Sequence, residues 1–168
     1  MRESERFDRQ DLEILVLVQS DAKMTQSEIA DKVGLSVQAV SERLKKLESR
    51  GVIRRYVALI DAKRLGKDIT AFISVLLDHP KHDSSFQESV DGFPEVLECH
   101  HVLGPFSYLL KVKVEDTAAL ENLLAHRIKA IGGVSQTVTV VVLSTSKEDT
   151  AIDIALPRDA ETRAAGAR

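Results

Sequence analysis

Of 168 residues, 43% are apolar, 29% are charged and none is Trp, a composition of soluble globular proteins with length for one or two small domains. The formal charge of −3 excludes a global attraction to nucleic acid or an anionic membrane, so any basic surface must be local. Cys99 is the one cysteine, which excludes an intramolecular disulfide and fits a reducing compartment. The charged opening MRESERFDRQD lacks the apolar run of a signal peptide or membrane span, so the expected location is cytoplasmic.

Charge divides the chain. Residues 1–60 carry 11 basic and 10 acidic side chains, and residues 61–168 carry 12 and 16. Between Ser36 and Tyr56, Arg43, Lys45, Lys46, Arg50, Arg54 and Arg55 face only Glu42 and Glu48, a local +4. That stretch is the candidate anion-binding surface.

Leu12, Leu15, Val16 and Leu17 follow Asp8 at helical spacing, which predicts a first helix capped by Asp8. Thr25-Gln-Ser-Glu28 has the form of a capping box and opens a second helix. Gly34 can end it in the left-handed conformation, and Ser36 can cap a third helix two residues later. Ile29, Val33, Leu35, Val40, Leu44 and Leu47 supply a shared apolar core, with small Ala30 where the helices cross. These features specify a helix-turn-helix. With Val40, Leu44 and Leu47 inward, the outward face carries small and polar residues near the helix start, where a recognition helix meets base edges. Ser36, Gln38, Ala39, Glu42 and Arg43 are therefore expected at the major groove, and Lys46, Arg54 and Arg55 at phosphates, with Gln26 at the start of the second helix as a further DNA contact.

From Val52 the period changes. Val52–Ile60 reads as a hinge strand leading to the Leu65-Gly66 turn, and Thr70–Leu77 as a second strand. A helix capped at Ser85-Phe-Gln-Glu88 ends near Asp91-Gly92, and a strand follows from Glu95 to Leu103. Gly104-Pro105 turns the chain into an alternating strand at Tyr108–Val114. Asp116–Ile131 reads as a helix stopped by Gly132-Gly133, and Val134–Leu143 as the last long strand. The order βαββαβ predicts a ferredoxin-like sandwich, so the fold class is α+β: a winged-helix-like helix-turn-helix followed by that sandwich. The expected domains are 1–52 for DNA binding, 53–69 as hinge, 70–156 as sandwich with a short strand at 152–156, and a disordered tail from Pro157. Val138, Val140 and Val142 alternate with Thr137, Thr139 and Val141, which puts apolar side chains on both faces of the last strand and implies a partner subunit.

FDRQDLEIL at 7–15, TQSEIADKVGLSVQAVSERLKKLESRGVIRRY at 25–56, LECHHVLGPFSYLLKVKVED at 97–116 and GGVSQTVTVVVLS at 132–144 together closely resemble the Lrp/AsnC family, the leucine-responsive and asparagine-responsive transcription regulators. The resemblance spans nearly the full chain. It implies double-stranded DNA and a small effector as partners, and dimers through the sheets that build toward octamers; separately, the sequence offers no Ser/His/Asp set, Gly-rich phosphate loop or zinc spacing, so no catalytic step, cofactor or metal is expected. The resemblance also implies an effector pocket at Gly104, Pro105, Phe106, Ser107 and Tyr108, with Gln136 and Thr137 nearby. Two positions depart from the family pattern: Val37 where Pro is frequent, and Ser107 where Gly-x-x-Asp-Tyr/Phe has an acid. Without that carboxylate, the expected ligand is a weakly bound apolar amino acid or a metabolite lacking a free amine.

Two other functions fit parts of the pattern. An effector-independent architectural protein would wrap DNA on an octameric core. The chain is also similar, more distantly, to sirohaem decarboxylases, in which case His100 or His101 would serve the tetrapyrrole. Cys99-His100-His101 is otherwise weak as a metal or nucleophile motif, since strand neighbours point to opposite faces and at most Cys99 and His101 share a side. An RNA-binding sandwich is excluded by the absence of interleaved aromatics from Ser107 to Val114.

Overall fold

The computed structural model describes residues 7–157, and the tail expected from Pro157 otherwise lies outside the described residues. The described residues form two compact units: one takes in those up to Leu59 and from Asp149, the other Ile60–Glu148.

The first unit contains α1 (Arg9–Ser20), α2 (Gln26–Val33) and α3 (Val37–Ser49). Each start is fixed by a side chain that takes an otherwise orphaned backbone N–H. Asp8 accepts from Asp11, Thr25 from Glu28 and Ser36 from Ala39, with reciprocal capping boxes at the first two. Gly34 ends α2 at φ +68°, and the amides of Gly34 and Leu35 both return to the Ala30 carbonyl. The left-handed residue turns the chain sharply enough for Ser36 to cap α3 two residues later. Ile14, Val18, Ile29, Ala30, Val40, Leu44 and Leu47 form the core beneath the three helices.

The second unit is a four-stranded antiparallel sheet in the order β2-β3-β1-β4, made of β1 (Ile69–Leu77), β2 (Val96–His101), β3 (Tyr108–Val114) and β4 (Val134–Val141). One face carries Ala71, Ile73, Val75 and Leu77 with Tyr108, Leu110, Val112 and Val114, all buried against Phe86 and Val90 of α4 (Asp83–Asp91) and Leu120 of α5 (Thr117–Asn122). The βαββαβ order and the single helical layer are those expected.

Several details differ from the sequence expectation. α4 starts at Asp83, not at Ser85, because a 3₁₀ turn at Pro80–His82 runs straight into it; His79 Nδ1 accepts from the Lys81 amide (3.0 Å) to open that turn. The Ser85 hydroxyl donates to the His82 carbonyl (3.0 Å) instead of capping. The helix from Asp116 is α-helical only to Asn122 and continues as a π-helical turn over Leu123–Ile128. Leu123 and Ile128 are both buried, and the wider i→i+5 spacing brings both onto one face.

The expected strand over Val52–Ile60 forms no ladder: Val52 and Ile53 bend back, their amides donating to the Leu47 carbonyl, and a 3₁₀ turn follows at Lys63–Leu65. The β pattern is present, but among the described residues no neighbouring strand supplies hydrogen bonds. Ile152–Leu156 likewise forms no strand. It lies in the first unit, where the Gln19 side chain donates to the Ile152 carbonyl (2.7 Å) and accepts from the Ile152 amide (3.0 Å), replacing one ladder rung. Among the described residues, no helix is long and apolar enough to cross a membrane.

Candidate nucleic-acid interface and effector site

α3 buries Val40, Leu44 and Leu47, so the opposite face is set by helical geometry. Ser36, Gln38, Glu42, Lys45 and Lys46 are exposed along it and Ala39 is half-buried. Gln26 at the start of α2 and Arg54 and Arg55 beyond α3 are exposed as well. The Gln38 amide donates to Glu42 Oε1 (3.3 Å), a weak tie that a base edge can replace. Ser36 holds the helix start, its Oγ accepting from the Ala39 amide at 3.2 Å.

Arg43 has a different surrounding. Its Nη1 donates to Asp8 Oδ2 (2.7 Å) and Asp11 Oδ1 (2.6 Å), and its Nη2 to Gln10 Oε1 (3.0 Å). The guanidinium expected at the major groove clamps α3 to the start of α1. Its hydrogen bonds to Asp8 and Asp11 raise the Arg43 pKa above its already high ordinary value. Asp8 is held below the usual carboxylate range, mainly by the Asp11 amide and further by Arg43. Asp11 is the one buried charged residue among those described, at 7% exposed.

Just past α3, the Tyr56 hydroxyl donates to Glu48 Oε1 (2.8 Å). Desolvation, then that carboxylate, pushes its pKa up to about 12. The other tyrosine, Tyr108, is also raised, first by burial. Neither should form phenolate at pH about 10, where a free tyrosine is half ionised, and an absorbance titration checks this. The Tyr56 contribution to stability is therefore intact below about pH 10 and lost as pH rises through its folded value.

The loop 102–107 and the start of β4 meet the same end of β1 from opposite sides. The Ser107 amide donates to the Val75 carbonyl (2.9 Å), and the Ser107 hydroxyl accepts from the Leu77 amide (3.2 Å). Across β1, Val75 is in register with Thr137 and Leu76 with Gln136. Gly104, Pro105 and Gln136 are exposed, while Phe106, Ser107 and Thr137 are half-buried. Thr137 shares the helix-covered face with Val75, and Gln136 the opposite face with Leu76.

Tyr108 stands apart from them. It alternates in phase with Leu110, Val112 and Val114, so its ring enters the core, 4.7 Å from Phe86 and stacked on His101 at 4.9 Å. Its hydroxyl accepts from Gln87 (2.7 Å) and donates to Asp83 (3.1 Å). The side chain expected to line the effector pocket is a core residue that holds the loop in place. Cys99 and His101 share the helix-covered face, opposite Leu110 and Tyr108, whereas His100 lies on the other face beside Glu98 at 3.2 Å.

Comparison with known proteins bears on both regions. Residues 7–54 match a winged helix-turn-helix DNA-binding family, and residues 70–152 match the Lrp/AsnC ligand binding domain. The leucine-responsive regulatory protein of Escherichia coli is 34% identical over 149 residues, covering 88% of this chain and 91% of that protein. Among solved structures, a transcriptional regulator of Neisseria meningitidis in complex with L-Met superposes with a TM-score of 0.84 at 30% identity, covering 88% of this chain and 97% of that one. Escherichia coli AsnC superposes with a TM-score of 0.81 at 27% identity, covering 87% and 98%. The chain belongs to the Lrp/AsnC family of DNA-binding transcriptional regulators.

Proposed function

We propose that this regulator reads operator DNA with α3 as a symmetric homodimer assembling to higher multiples, responds to an amino acid at the loop end of its sheet, and works in the cytoplasm without a catalytic step. The observation that carries the DNA reading is the exposed polar amino-terminal half of α3, presented directly after the left-handed turn at Gly34. Similarity to a regulator solved with L-Met supports an amino acid as the effector class.

Base contacts and phosphate contacts differ in what they do to affinity, so two substitutions test the assignment. Gln38→Ala is expected to relax sequence preference by about 1–3 kcal/mol. Arg54→Ala is expected to weaken every sequence alike and to reduce the salt slope by about 1. Fluorescence anisotropy with a promoter fragment and a scrambled duplex, over a series of salt concentrations, separates the two. Unchanged binding by both variants would remove α3 from the interface, and equal affinity of the native protein for both duplexes would favour an architectural role.

A further inference from the structure

A free amino acid presents an ammonium as well as a carboxylate. An ammonium placed among neutral acceptors gains less than one paired with a carboxylate, and its desolvation is not offset. Residues 104–108 contain no acid, Gln136 and Thr137 are neutral, and the Ser107 hydroxyl already accepts from Leu77.

The strand between these two segments ends in one. β1 stops at Leu77, and Asp78 is the next residue. Leu77 is bonded to Ser107 on one side, the Ser135 hydroxyl donates to the Leu76 carbonyl (3.0 Å) on the other, and the Asp78 amide donates to the Gly133 carbonyl (2.9 Å). Asp78 is thereby fixed where loop 102–107, the end of β1 and the start of β4 converge. Its side chain is 59% exposed and has the His82 ring at 3.5 Å. That ring lies on the backbone of Gly133, where an added Cβ would meet it at 2.3 Å and where φ is +90°. A close approach of this kind tolerates only glycine, so His82, Gly133 and the Asp78 backbone are held in mutual register.

We propose that Asp78 is the carboxylate that receives the effector's ammonium, and that the effector is an α-amino acid whose apolar side chain lies toward Phe106. The proposal rests on the amino-acid reading of this site given above. The acid absent from position 107 is supplied from the end of the neighbouring strand, one residue beyond the amide that Ser107 holds.

Asp78→Asn keeps the shape and the backbone bond to Gly133 while removing the charge. Calorimetric titration of the full chain with L-leucine and with L-methionine, for native protein and variant, reads the effect. 4-Methylpentanoate, a leucine analogue without the amine, serves as the second probe, and equal thermal midpoints show that both proteins are folded. Native protein is expected to bind an amino acid that Asp78→Asn binds about 10- to 100-fold more weakly, with the amine-free analogue bound alike by both. Equal amino-acid affinity in the two proteins overturns the role of Asp78 and leaves the effector site standing. So does an equal loss for the amine-free analogue, since charge pairing would not be the cause. Native protein that binds neither amino acid overturns both readings.

Discussion

Arg43→Ala is expected to lower the stability of the amino-terminal unit by about 1–3 kcal/mol, because it leaves the buried Asp11 carboxylate without its cation. Asp8 and Asp11 already satisfy each other's backbone amides in the capping box of α1, and Arg43 bridges both carboxylates from α3. One side chain therefore ties the start of α1 to the recognition helix. DNA affinity should fall for operator and random duplex together, since the orientation of the whole of α3 is disturbed. A base contact would behave otherwise, with operator-selective loss at unchanged stability. Urea denaturation followed by circular dichroism, alongside anisotropy on both duplexes, distinguishes the two. Combining Arg43→Ala with Asp11→Asn should cost less than the sum of the single changes, as expected for groups in one network. Acid gives a further check on sign. The folded-state pKa of Asp8 is depressed, so its contribution is present above the unfolded value and is lost as pH falls through the folded one. The difference between native protein and Arg43→Ala should narrow across that range.

What was legible in the sequence was what is local in it. The caps at Asp8, Thr25 and Ser36 and the turn at Gly34 depend on residues within one helical turn, so spacing alone specifies them. The strands of the second unit were visible through their period of two, and the resemblance to the family covered both units. The contacts of Arg43 are not legible in the sequence, because its partners lie 32 to 35 residues away at the start of another helix. Helical periodicity shows a residue near the surface but not which acid reaches it. The family resemblance puts Tyr108 at the ligand, whereas its phase with Leu110 and Val112 marks it for the core. Asp78 carries no motif. Its place beside Ser107 and Gly133 exists only once β1 is laid between β3 and β4. The π turn likewise follows from the demand that Leu123 and Ile128 both reach the core.

The open face of the sheet sets the last expectation. Phe72, Ser74 and Leu76 of β1 stand in register with Val140, Val138 and Gln136 of β4, on the face opposite the helices. Val138 and Val140 are 41% and 60% exposed, too apolar a pair of neighbours to be left in water without consequence. On the β2–β3 side that face is bordered by charge: Lys111 reaches Glu98 (3.2 Å) and Glu148 (2.6 Å), and Lys113 reaches Glu148 (3.3 Å). An apolar strip with a charged rim is the anatomy of an interface. In a twofold contact the same patch serves both partners, so any residue near the axis meets its own copy. Val140→Asp would then bring two carboxylates together and desolvate them, at a cost of several kcal/mol to the dimer. Within one chain the position is open to solvent, so secondary structure should be retained. Light scattering at low micromolar concentration is expected to give at least a dimer mass for the native protein and a smaller mass for Val140→Asp. Operator affinity should fall with it, because two recognition helices no longer arrive linked. A monomeric native protein, or a variant of unchanged mass, would mean that this face does not join subunits.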